Sequence, residues 1–574
     1  MTPTQRCTIS SSRAALISGF ILLLFCGVIG KLYLVQILQY QKFFNLKEKQ
    51  YIQTIEIKPK RGTIYDCQGR ELVLTIDVES LCAFPRQIEN KPEAAARIAR
   101  IINADAGEIR NKLESDKYFV WLARKLDVEK ARELKALNLK GIDFIKEGKR
   151  FYPDGVLANQ VLGYVGLDND GLTGVEKYFD EYIKGESSYL TQGKDAKGRG
   201  VLNDTQNCYI SNNSNDIVLS IDRNIQYLAE KELDAAWSQY HGRQALIIVQ
   251  RTKTGEILAL AGRPTFDRNK IGDSSMNEMR LKAISDFYEP GSTFKVISAA
   301  AALEEKVVAP DDRYFCENGS YKVGPTVIRD HEKEGWLTFA QVLERSSNIG
   351  MAKVADKLGK DKLYYYAKLF GFGGLTGIEL PGETEGLLRQ PRDWSGVSLG
   401  RIAFGQEIGV TPLQLINAVN AVANGGVLMQ PFIVKCIRNK NGTIIKDFKP
   451  QVVRRVISAD TAKTLTEILQ GVVERGTGVM AQVKGYDIAG KTGTAQKIDP
   501  DLHKYSPTKY VASFVGYLPA DNPEVTILVI IDEPKEIHWG GSVCAPVFGQ
   551  VAKDIMRYLN IPAKVPLLAL NKKI

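Results

Sequence analysis

The sequence predicts a multidomain α+β protein with one N-terminal transmembrane helix, an irregular α/β module and a C-terminal domain built on a mixed sheet flanked by helices. The chain has 574 residues, more than one ordinary core encloses. A long apolar run lies near its start. In the second half, strand-like runs come first and last with helical segments between them, which is typical of a sheet covered by helices. Hydrophobic content of 44% and charged content of 25% exclude a disordered or fibrous chain.

The apolar run extends from Ala14 to Leu38, and Lys31 is its only charged residue. About 20 apolar residues are enough to span a bilayer as a helix. Arg6 and Arg13 precede the run, which predicts a cytoplasmic N-terminus. A cleaved signal peptide would have a shorter apolar core and a small-x-small cleavage site, and the sequence has no good site of that kind. We therefore expect an uncleaved single-pass anchor with the rest of the chain outside the membrane.

Charge, turn residues and periodicity divide the remaining chain. Residues 39–215 carry many charges, short apolar runs and Gly-rich turns, with a helix predicted at 91–116 and a linker or surface hairpin at 194–215. The charge pattern and the periodicity of the sequence change near residue 216. We expect five segments: a cytoplasmic tail at 1–13, the anchor at 14–38, the module at 39–215, a catalytic domain at 216–560 and a tail at 561–574.

The C-terminal domain has clear strand and helix signals. Asp222 is placed to cap a helix, and two apolar runs around the turn at Gly255 predict a hairpin. The hairpin strands are predicted at 244–250 and 256–261, three more strands at 486–495, 510–518 and 525–532, and a final helix at 545–560.

Charge, histidine and cysteine usage exclude several functions. The net charge of +10 is not concentrated in a basic stripe, so we expect no nucleic acid partner. No pair of the four histidines has metal-ligand spacing, so we expect no metal site. The cysteines beyond the anchor form no CxxC pair, which favours free thiols over disulfides. These cysteines are Cys67, Cys82, Cys208, Cys316, Cys436 and Cys544.

The strongest chemical signal is a Ser-x-x-Lys element after a Pro-Gly break. Ser292 is predicted at a helix N-terminus, and Lys295 lies one turn later on the same face. A serine hydroxyl is a weak nucleophile until a neighbouring base takes its proton. A buried lysine can lose its charge and act as that base. Alone, this element could equally be an ordinary helix cap with a solvated lysine.

Two further elements follow in order. Ser-Ser-Asn occupies 346–348 between helix-like segments, and Lys-Thr-Gly-Thr occupies 491–494 in a strand-like run. Each has an ordinary explanation alone, a loop cap for the first and a sheet edge with a bulge at Gly493 for the second. Together, S-x-x-K, S-x-N and K-T-G form the signature of serine acyltransferases that act on D-Ala-D-Ala peptides and β-lactams.

With these motifs the chain resembles the class B penicillin-binding proteins along nearly its whole length. The segment Arg61–Leu72 is similar to the family's first pedestal motif, although Cys67 stands where arginine is usual. The segments 150–153, 163–166 and 174–176 resemble its later pedestal motifs. The resemblance implies an elongated α/β pedestal of the dimerisation type and a penicillin-binding transpeptidase domain with a mainly antiparallel sheet.

The catalytic half is more similar to the division-specific FtsI/SpoVD-type branch than to the elongation branch. Glu289, Asn348 and Thr492 match that branch, whereas the elongation branch more often has Pro, Asp and Ser at these positions. The resemblance therefore implies septal wall synthesis, with elongation or spore-wall synthesis as alternatives.

The resemblance also implies a role for each site residue. Ser292 would attack the donor peptide, Lys295 would accept its proton, and Ser346 would pass a proton to the leaving group. Asn348 would orient Lys295. Lys491 would keep the site electropositive and help hold Lys295 neutral.

Substrate binding would fall to the rest of the Lys-Thr-Gly-Thr element. Thr492 and Thr494 would bind the donor's terminal carboxylate, and the lack of a side chain at Gly493 would let the substrate backbone approach the strand. The backbone N–H groups of Ser292 and Thr494 would form an oxyanion hole. No cofactor is implied.

The implied function is a serine-type peptidoglycan D,D-transpeptidase in the bacterial cytoplasmic membrane, with its catalytic domain extracytoplasmic and β-lactams as covalent inhibitors. Expected partners are peptidoglycan stem peptides, the membrane, a SEDS-type FtsW-like glycan polymerase and other divisome membrane proteins. Three alternatives share some features: a β-lactamase, a β-lactam-sensing receptor and a division scaffold with little catalysis. The long module and the single predicted span argue against the first two, and the intact motifs against the third.

Overall fold

The computed structural model of the chain describes residues 11–44, 52–57, 60–185, 188–194, 200–201, 214–268, 275–324, 326–499 and 504–564. The chain divides into two compact units, each described by itself. The smaller unit consists of residues 1–59 and 186–212, and the larger unit of residues 60–185 and 213–574.

In the smaller unit, the helix Ser11–Tyr33 continues into a π-helical turn, Leu34–Leu38. The segment Ser12–Leu38 has a mean hydropathy of 2.3 and is long and apolar enough to cross a membrane. A small antiparallel sheet has the strand order Ile52–Ile57, Ser188–Lys194, Gly200–Val201. Most of the predicted linker at 194–215 lies outside the described residues.

The larger unit begins with the predicted pedestal. The strand Glu71–Ala83 pairs with Val120–Leu126 and, from Leu74 to Ala83, with Ile142–Phe151. The helix predicted at 91–116 is two helices, because Asn103 between them has φ 60°, a left-handed conformation that asparagine tolerates. The pedestal helices are Lys91–Ile102, Ala106–Glu114, Val128–Ala136, Asn159–Leu162, Gly174–Tyr178 and Asp180–Ile183.

One sheet joins segments from both sides of the predicted boundary at residues 215 and 216. The short strand Ile64–Tyr65 pairs in parallel with Asp216–Leu219, which in turn pairs with Val434–Arg438. The strand Ile444–Asp447 completes that edge of the sheet. The pedestal and the C-terminal domain therefore share backbone hydrogen bonds, and the boundary between them stays a prediction.

The C-terminal domain contains a five-stranded antiparallel sheet, named here the catalytic sheet. Its strand order is Ile257–Arg263, Gln244–Arg251, Val525–Asp532, Lys504–Leu518 and Ala489–Asp499. The predicted hairpin and the three later strands are all present, and the fold class predicted from the sequence is confirmed. The last strand, Ala489–Asp499, lies at the edge of the sheet.

Helices cover both faces of the catalytic sheet. Arg223–Tyr240, capped by Asp222, and Gly540–Tyr558 pack on one face around a core that includes Ile247 and Phe514. The final helix begins earlier than the predicted residue 545. The glycines at its start argue against a helix, but a Cβ at Gly540 would lie 2.2 Å from the Gly493 carbonyl, so the packing requires glycine there.

The other face of the sheet packs against a helical region that carries the rest of the site. Its helices are Met276–Met279, Lys282–Ser285, Lys295–Glu304, Phe339–Glu344, Asn348–Leu358, Lys360–Leu369, Ser398–Ala403, Pro412–Ala423 and Ala459–Glu474. Its short strands are Arg313–Phe315 with Trp336–Thr338, Ser320–Val323 with Thr326–Arg329, and Val427–Met429 with Val452–Arg455. Of the predicted free thiols, Cys208 lies outside the described residues, and the other five are unpaired in the part of the chain that the structure describes.

Candidate active site

The loop that carries Ser292 lies against the edge strand of the catalytic sheet. Gly291–Phe294 forms a 3₁₀ turn that runs into the helix Lys295–Glu304, so the helix predicted at Ser292 begins as a tighter turn. Gly291 has φ 56°, and a Cβ there would meet the Thr494 carbonyl at 3.2 Å, so both conformation and space favour glycine. The Ser292 side chain is partly exposed, and within the described residues its hydroxyl makes no hydrogen bond.

Lys295 connects the first motif to the second. Its side chain is fully buried. Its Nζ donates to the Ser346 carbonyl at 2.5 Å, to Asn348 Oδ1 at 2.8 Å and to Ser346 Oγ at 3.3 Å. The helix therefore places this amine one turn after Ser292 and in contact with both ends of the Ser-Ser-Asn element.

Lys491 connects the third motif to the same hydroxyl. It is also fully buried, and its Nζ donates to Ser346 Oγ at 2.9 Å and to the Thr492 carbonyl at 3.2 Å. The Ser346 hydroxyl thus lies between two lysine amines. The partners of both amines are neutral oxygens rather than carboxylates.

Burial changes the proton affinity of both amines. It lowers the pKa of Lys295 from its usual 10.5 to about 7, although the negative charge of Asp330 opposes this. Burial also lowers the pKa of Lys491, and the positive charge of Lys295 lowers it further. Repulsion between the two lysines acts on Lys491, and the expectation that Lys491 helps to hold Lys295 neutral stays a prediction. Because the two amines share one hydroxyl, loss of a proton from one of them changes the proton affinity of the other.

The Ser-Ser-Asn element is held by a residue that sequence analysis missed. Asp330 accepts from the backbone N–H of Asn348 at 2.6 Å, from that of Ile349 at 3.0 Å and from the Ser347 hydroxyl at 2.5 Å. Ser346 has φ 59°, which costs a non-glycine residue roughly 1–3 kcal/mol and needs support of this kind. Asp330 lies in a loop after the strand Thr326–Arg329, and no motif or periodicity marks it in the sequence.

The Lys-Thr-Gly-Thr element presents two hydroxyls on the edge strand. Thr492 Oγ1 shares a hydrogen bond of 2.7 Å with Thr477 Oγ1, another residue that the sequence did not indicate. Thr494 Oγ1 accepts from the Gly540 N–H at 3.0 Å, so its own proton can be donated to a ligand.

Gly493 is required by packing. A Cβ there would lie 2.3 Å from Ser513 Oγ on the next strand and 2.8 Å from Thr293 Cγ2. The pairing of the edge strand is regular through Gly493 and shifts only between Gln496 and Ile498, so the alternative of a bulge at this glycine was wrong.

The arrangement suits acyl transfer by a serine. Ser292 offers a hydroxyl without a partner among the described residues, Lys295 is a lysine that can become neutral one turn away, and Ser346 places a second hydroxyl between two amines. Together they provide a nucleophile, a base and a path for the proton. Within the described ranges, no group of His, Cys, Asp and Glu could hold a metal ion.

Comparison with protein families agrees with the geometry. Residues 245–556 match the penicillin binding protein transpeptidase domain, and residues 56–219 match the penicillin-binding protein dimerisation domain. The first match covers more than half of the chain and includes all the site residues named above. The chain belongs to the class B penicillin-binding transpeptidases.

Individual relatives span most of the chain. Stage V sporulation protein D of Bacillus subtilis is 35% identical over 536 residues, covering 92% of this chain and 82% of that protein. Peptidoglycan D,D-transpeptidase FtsI of Escherichia coli is 30% identical over 560 residues, covering 96% and 92%. A crystal structure of penicillin binding protein 3 from Mycobacterium tuberculosis, complexed with aztreonam, superposes with a TM-score of 0.70 at 28% identity, covering 89% of this chain and 99% of that one.

Proposed function

We propose that this protein is a serine D,D-transpeptidase that cross-links peptidoglycan stem peptides through an acyl-enzyme on Ser292. The observation that carries the proposal is the Ser346 hydroxyl, which accepts from both Lys295 and Lys491 in a buried site. Three motifs from distant parts of the chain therefore meet at one atom, next to a serine whose hydroxyl is available.

The first half-reaction follows from these contacts. Ser292 Oγ attacks the carbonyl carbon of the penultimate D-Ala of the donor peptide, and neutral Lys295 accepts the hydroxyl proton. The tetrahedral intermediate collapses as its C–N bond breaks. The leaving D-Ala takes a proton through the Ser346 hydroxyl, which contacts the Lys295 amine at 3.3 Å. Ser292 remains as an ester of the donor peptide.

The second half-reaction regenerates the serine. An amine of a neighbouring stem peptide attacks the ester carbonyl, the C–O bond breaks and the proton returns to Ser292 along the same path. Asn348 orients Lys295 through its 2.8 Å contact. Lys491, Thr492 and Thr494 surround the place where we infer that the donor's carboxylate binds.

We further propose that the enzyme acts in septal wall synthesis from the outer side of the cytoplasmic membrane. The apolar helix Ser11–Tyr33 with its π-helical extension would anchor it, with the N-terminus in the cytoplasm and an FtsW-like polymerase and other divisome proteins as membrane partners. The similarity to FtsI of Escherichia coli supports a role at the septum. The similarity to stage V sporulation protein D supports spore-wall synthesis as the second candidate.

Covalent labelling with a fluorescent penicillin tests the chemistry. The full chain in detergent should take up a stable label, and Ser292→Ala should take up none while keeping the wild-type melting temperature. Label that appears and is quickly released as hydrolysed penicillin would identify a β-lactamase instead. Absence of label on folded wild-type protein would contradict the proposal and favour a scaffold.

A further inference from the structure

The segment 439–455 of the C-terminal domain lies at the surface and is named here the basic arm. Between residues 440 and 455, every residue except Phe448 is exposed. The arm contains two short strands, Ile444–Asp447 and Val452–Arg455, joined by a loop. Its side chains therefore face solvent rather than a core.

Each strand of the basic arm has one free edge. Ile444–Asp447 pairs with Val434–Arg438 and is the outermost strand of the sheet that the pedestal and the C-terminal domain share. Val452–Arg455 pairs with Val427–Met429 in a two-stranded sheet. On the opposite edge, neither strand has a neighbour within the described ranges. The unpaired N–H and C=O groups of a free edge are a template for another extended chain.

The two free edges carry aliphatic side chains that are largely exposed. Ile444 and Ile445 are 56% and 52% exposed, and Val452 and Val453 are 65% and 43% exposed. Single exposed aliphatic residues are ordinary, but here two neighbours occur on each of two edge strands. Because successive side chains of a strand point to opposite faces, each pair offers one aliphatic contact on each face of an added strand.

Basic residues outnumber acidic ones in the arm by five to one. The basic residues are Lys440, Lys446, Lys449, Arg454 and Arg455. The acidic residue is Asp447, which Lys449 contacts at 3.6 Å, and Lys440 pairs with Asp216 outside the arm. Two of the five cations therefore have a carboxylate partner.

The other three cations have none among the described residues. Lys446 Nζ lies 4.9 Å from the centre of the Phe448 ring, and Arg454 and Arg455 donate to backbone carbonyl oxygens. Their positive charge stays available to an approaching chain.

This charge decides between two kinds of occupant. A second copy of the chain would bring two basic arms together, and like charges on facing strands are destabilising. An acidic segment meets no such repulsion and is attracted from a distance. The charge therefore favours an acidic partner over self-association.

We propose that the basic arm is a docking site for an extended acidic segment of a partner protein, which adds as a strand to the free edge of Ile444–Asp447. Backbone hydrogen bonds hold the segment, Ile444 and Ile445 contact its aliphatic side chains, and Lys446 pairs with one of its carboxylates. This edge is the better template of the two, because it belongs to the larger sheet. The inference goes beyond the proposed function and uses none of its site residues.

Three fluorescent peptides test the inference on the full chain in detergent. The first has about ten residues that alternate valine and glutamate, which is enough to span a strand of this length. The second has lysine in place of glutamate. The third is the first peptide N-methylated at consecutive central residues, so that neither of its edges can pair. By fluorescence anisotropy, the first peptide should bind about tenfold more tightly than either of the others.

A charge reversal and hydrogen exchange locate the site. Lys446→Glu should weaken binding of the glutamate peptide and strengthen binding of the lysine peptide. The matched control is Lys253→Glu, because Lys253 lies on the exposed turn of the first hairpin and contacts Asn522. Melting temperatures report the folding of both variants. In the wild type, bound glutamate peptide should slow amide exchange within residues 439–449.

Equal binding of the glutamate and lysine peptides by the wild type would overturn the inference, and this result needs no variant to fold. Equal binding of the N-methylated peptide would show attraction by charge alone and overturn strand addition. Binding that slows exchange only outside residues 439–449, or that Lys446→Glu and Lys253→Glu change equally, would overturn the location. Each of these results leaves the proposed function intact, because penicillin labelling of Ser292 is measured separately.

Discussion

Two buried groups of basic side chains in the larger unit differ in how their charge is balanced. In the pedestal, Arg61 donates to Glu176 at 2.5 Å and to Asp180 at 2.6 Å, and Arg150 donates to Glu176 at 2.7 Å. The two guanidinium groups and Glu176 are at most 2% exposed. Each cation therefore has a carboxylate partner at contact distance.

At the active site, the buried lysines have no carboxylate partner in the part of the chain that the structure describes. Lys295 and Lys491 donate to a hydroxyl, to carbonyl oxygens and to an amide oxygen. Asp330 raises the pKa of Lys295 by its negative charge. Its oxygens, however, accept hydrogen bonds from the Ser347 hydroxyl and the Asn348 N–H.

The comparison shows how the same burial produces a structural element in one place and a reactive one in the other. In the pedestal, the guanidinium groups keep their protons as arginine does throughout proteins, and the carboxylates offset the cost of burying the charge. Neutral partners leave the cost of burying the charge uncompensated, so the proton can leave near neutral pH. The kind of base and its partner together, rather than burial alone, decide between the two outcomes, because a lysine amine can lose its proton and a guanidinium does not.

The largest effect is expected at Lys295. Lys295→Met removes the base while keeping an aliphatic chain of similar length, so acylation by fluorescent penicillin should fall about 10⁴-fold, or roughly 5 kcal/mol of barrier. Stopped-flow or gel-based acylation rates measure this. Lys253→Met is the control, because Lys253 lies on the exposed turn of the first hairpin and contacts Asn522. A loss smaller than tenfold in a folded variant would show that Lys295 is not the base.

The pedestal group should respond in stability instead. Glu176→Gln leaves Arg61 and Arg150 buried without their shared carboxylate, which should lower the free energy of unfolding by about 4 kcal/mol. Calorimetry measures the loss, and the acylation rate of the folded variant, taken well below its melting temperature, should stay unchanged. An unchanged melting temperature would mean that the charge balance of the pedestal group does not stabilise the fold.

Asp330→Asn tests two roles of this carboxylate: holding the Ser-Ser-Asn element by hydrogen bonds, and raising the pKa of Lys295 by its charge. It weakens the contacts to the Asn348 and Ile349 N–H groups, so acylation should fall about 30-fold, or about 2 kcal/mol. Because Asp330 raises the pKa of Lys295, its loss should also move the acidic limb of the pH profile to lower pH. If the variant is slower but the pH dependence of its acylation rate is the same as in the wild type, Asp330 has only a structural role.

The pH profile of the wild type tests the uncompensated burial directly. With a pKa of about 7, Lys295 is protonated below pH 7 and neutral above it. The acylation rate should therefore rise about tenfold between pH 6 and pH 8 and then level off. A rate that continues to rise tenfold per unit up to pH 10 would show that the lysine keeps an ordinary pKa.

Thr477→Val should have the smallest effect. It removes one hydrogen bond, of 2.7 Å, to Thr492, which corresponds to about 1 kcal/mol and a several-fold slower acylation. Steady-state labelling with limiting penicillin measures it. A loss as large as that of Lys295→Met would place Thr477 among the reacting groups.

Local sequence patterns predicted the elements that carry the site. Ser292 and Lys295 share a turn because residues three apart lie on one helix face, and the apolar runs at 244–250 and 525–532 predicted strands of the catalytic sheet. The errors arose where packing overrode propensity. The final helix begins at Gly540, where the close approach of Gly493 requires glycine, and Asn103 divides a predicted helix in two.

The sequence by itself determined the fold class, the apolar N-terminal helix and the identity of the motif residues, since these depend on composition, periodicity and spacing over a few residues. Only the tertiary structure decided that Ser346 lies between Lys295 and Lys491, which are 51 and 145 positions away along the chain. It also decided the anchoring role of Asp330. The physical reason is that burial depends on which distant segments pack together. Burial in turn sets the pKa of a lysine and the hydrogen-bond partners that a carboxylate can find.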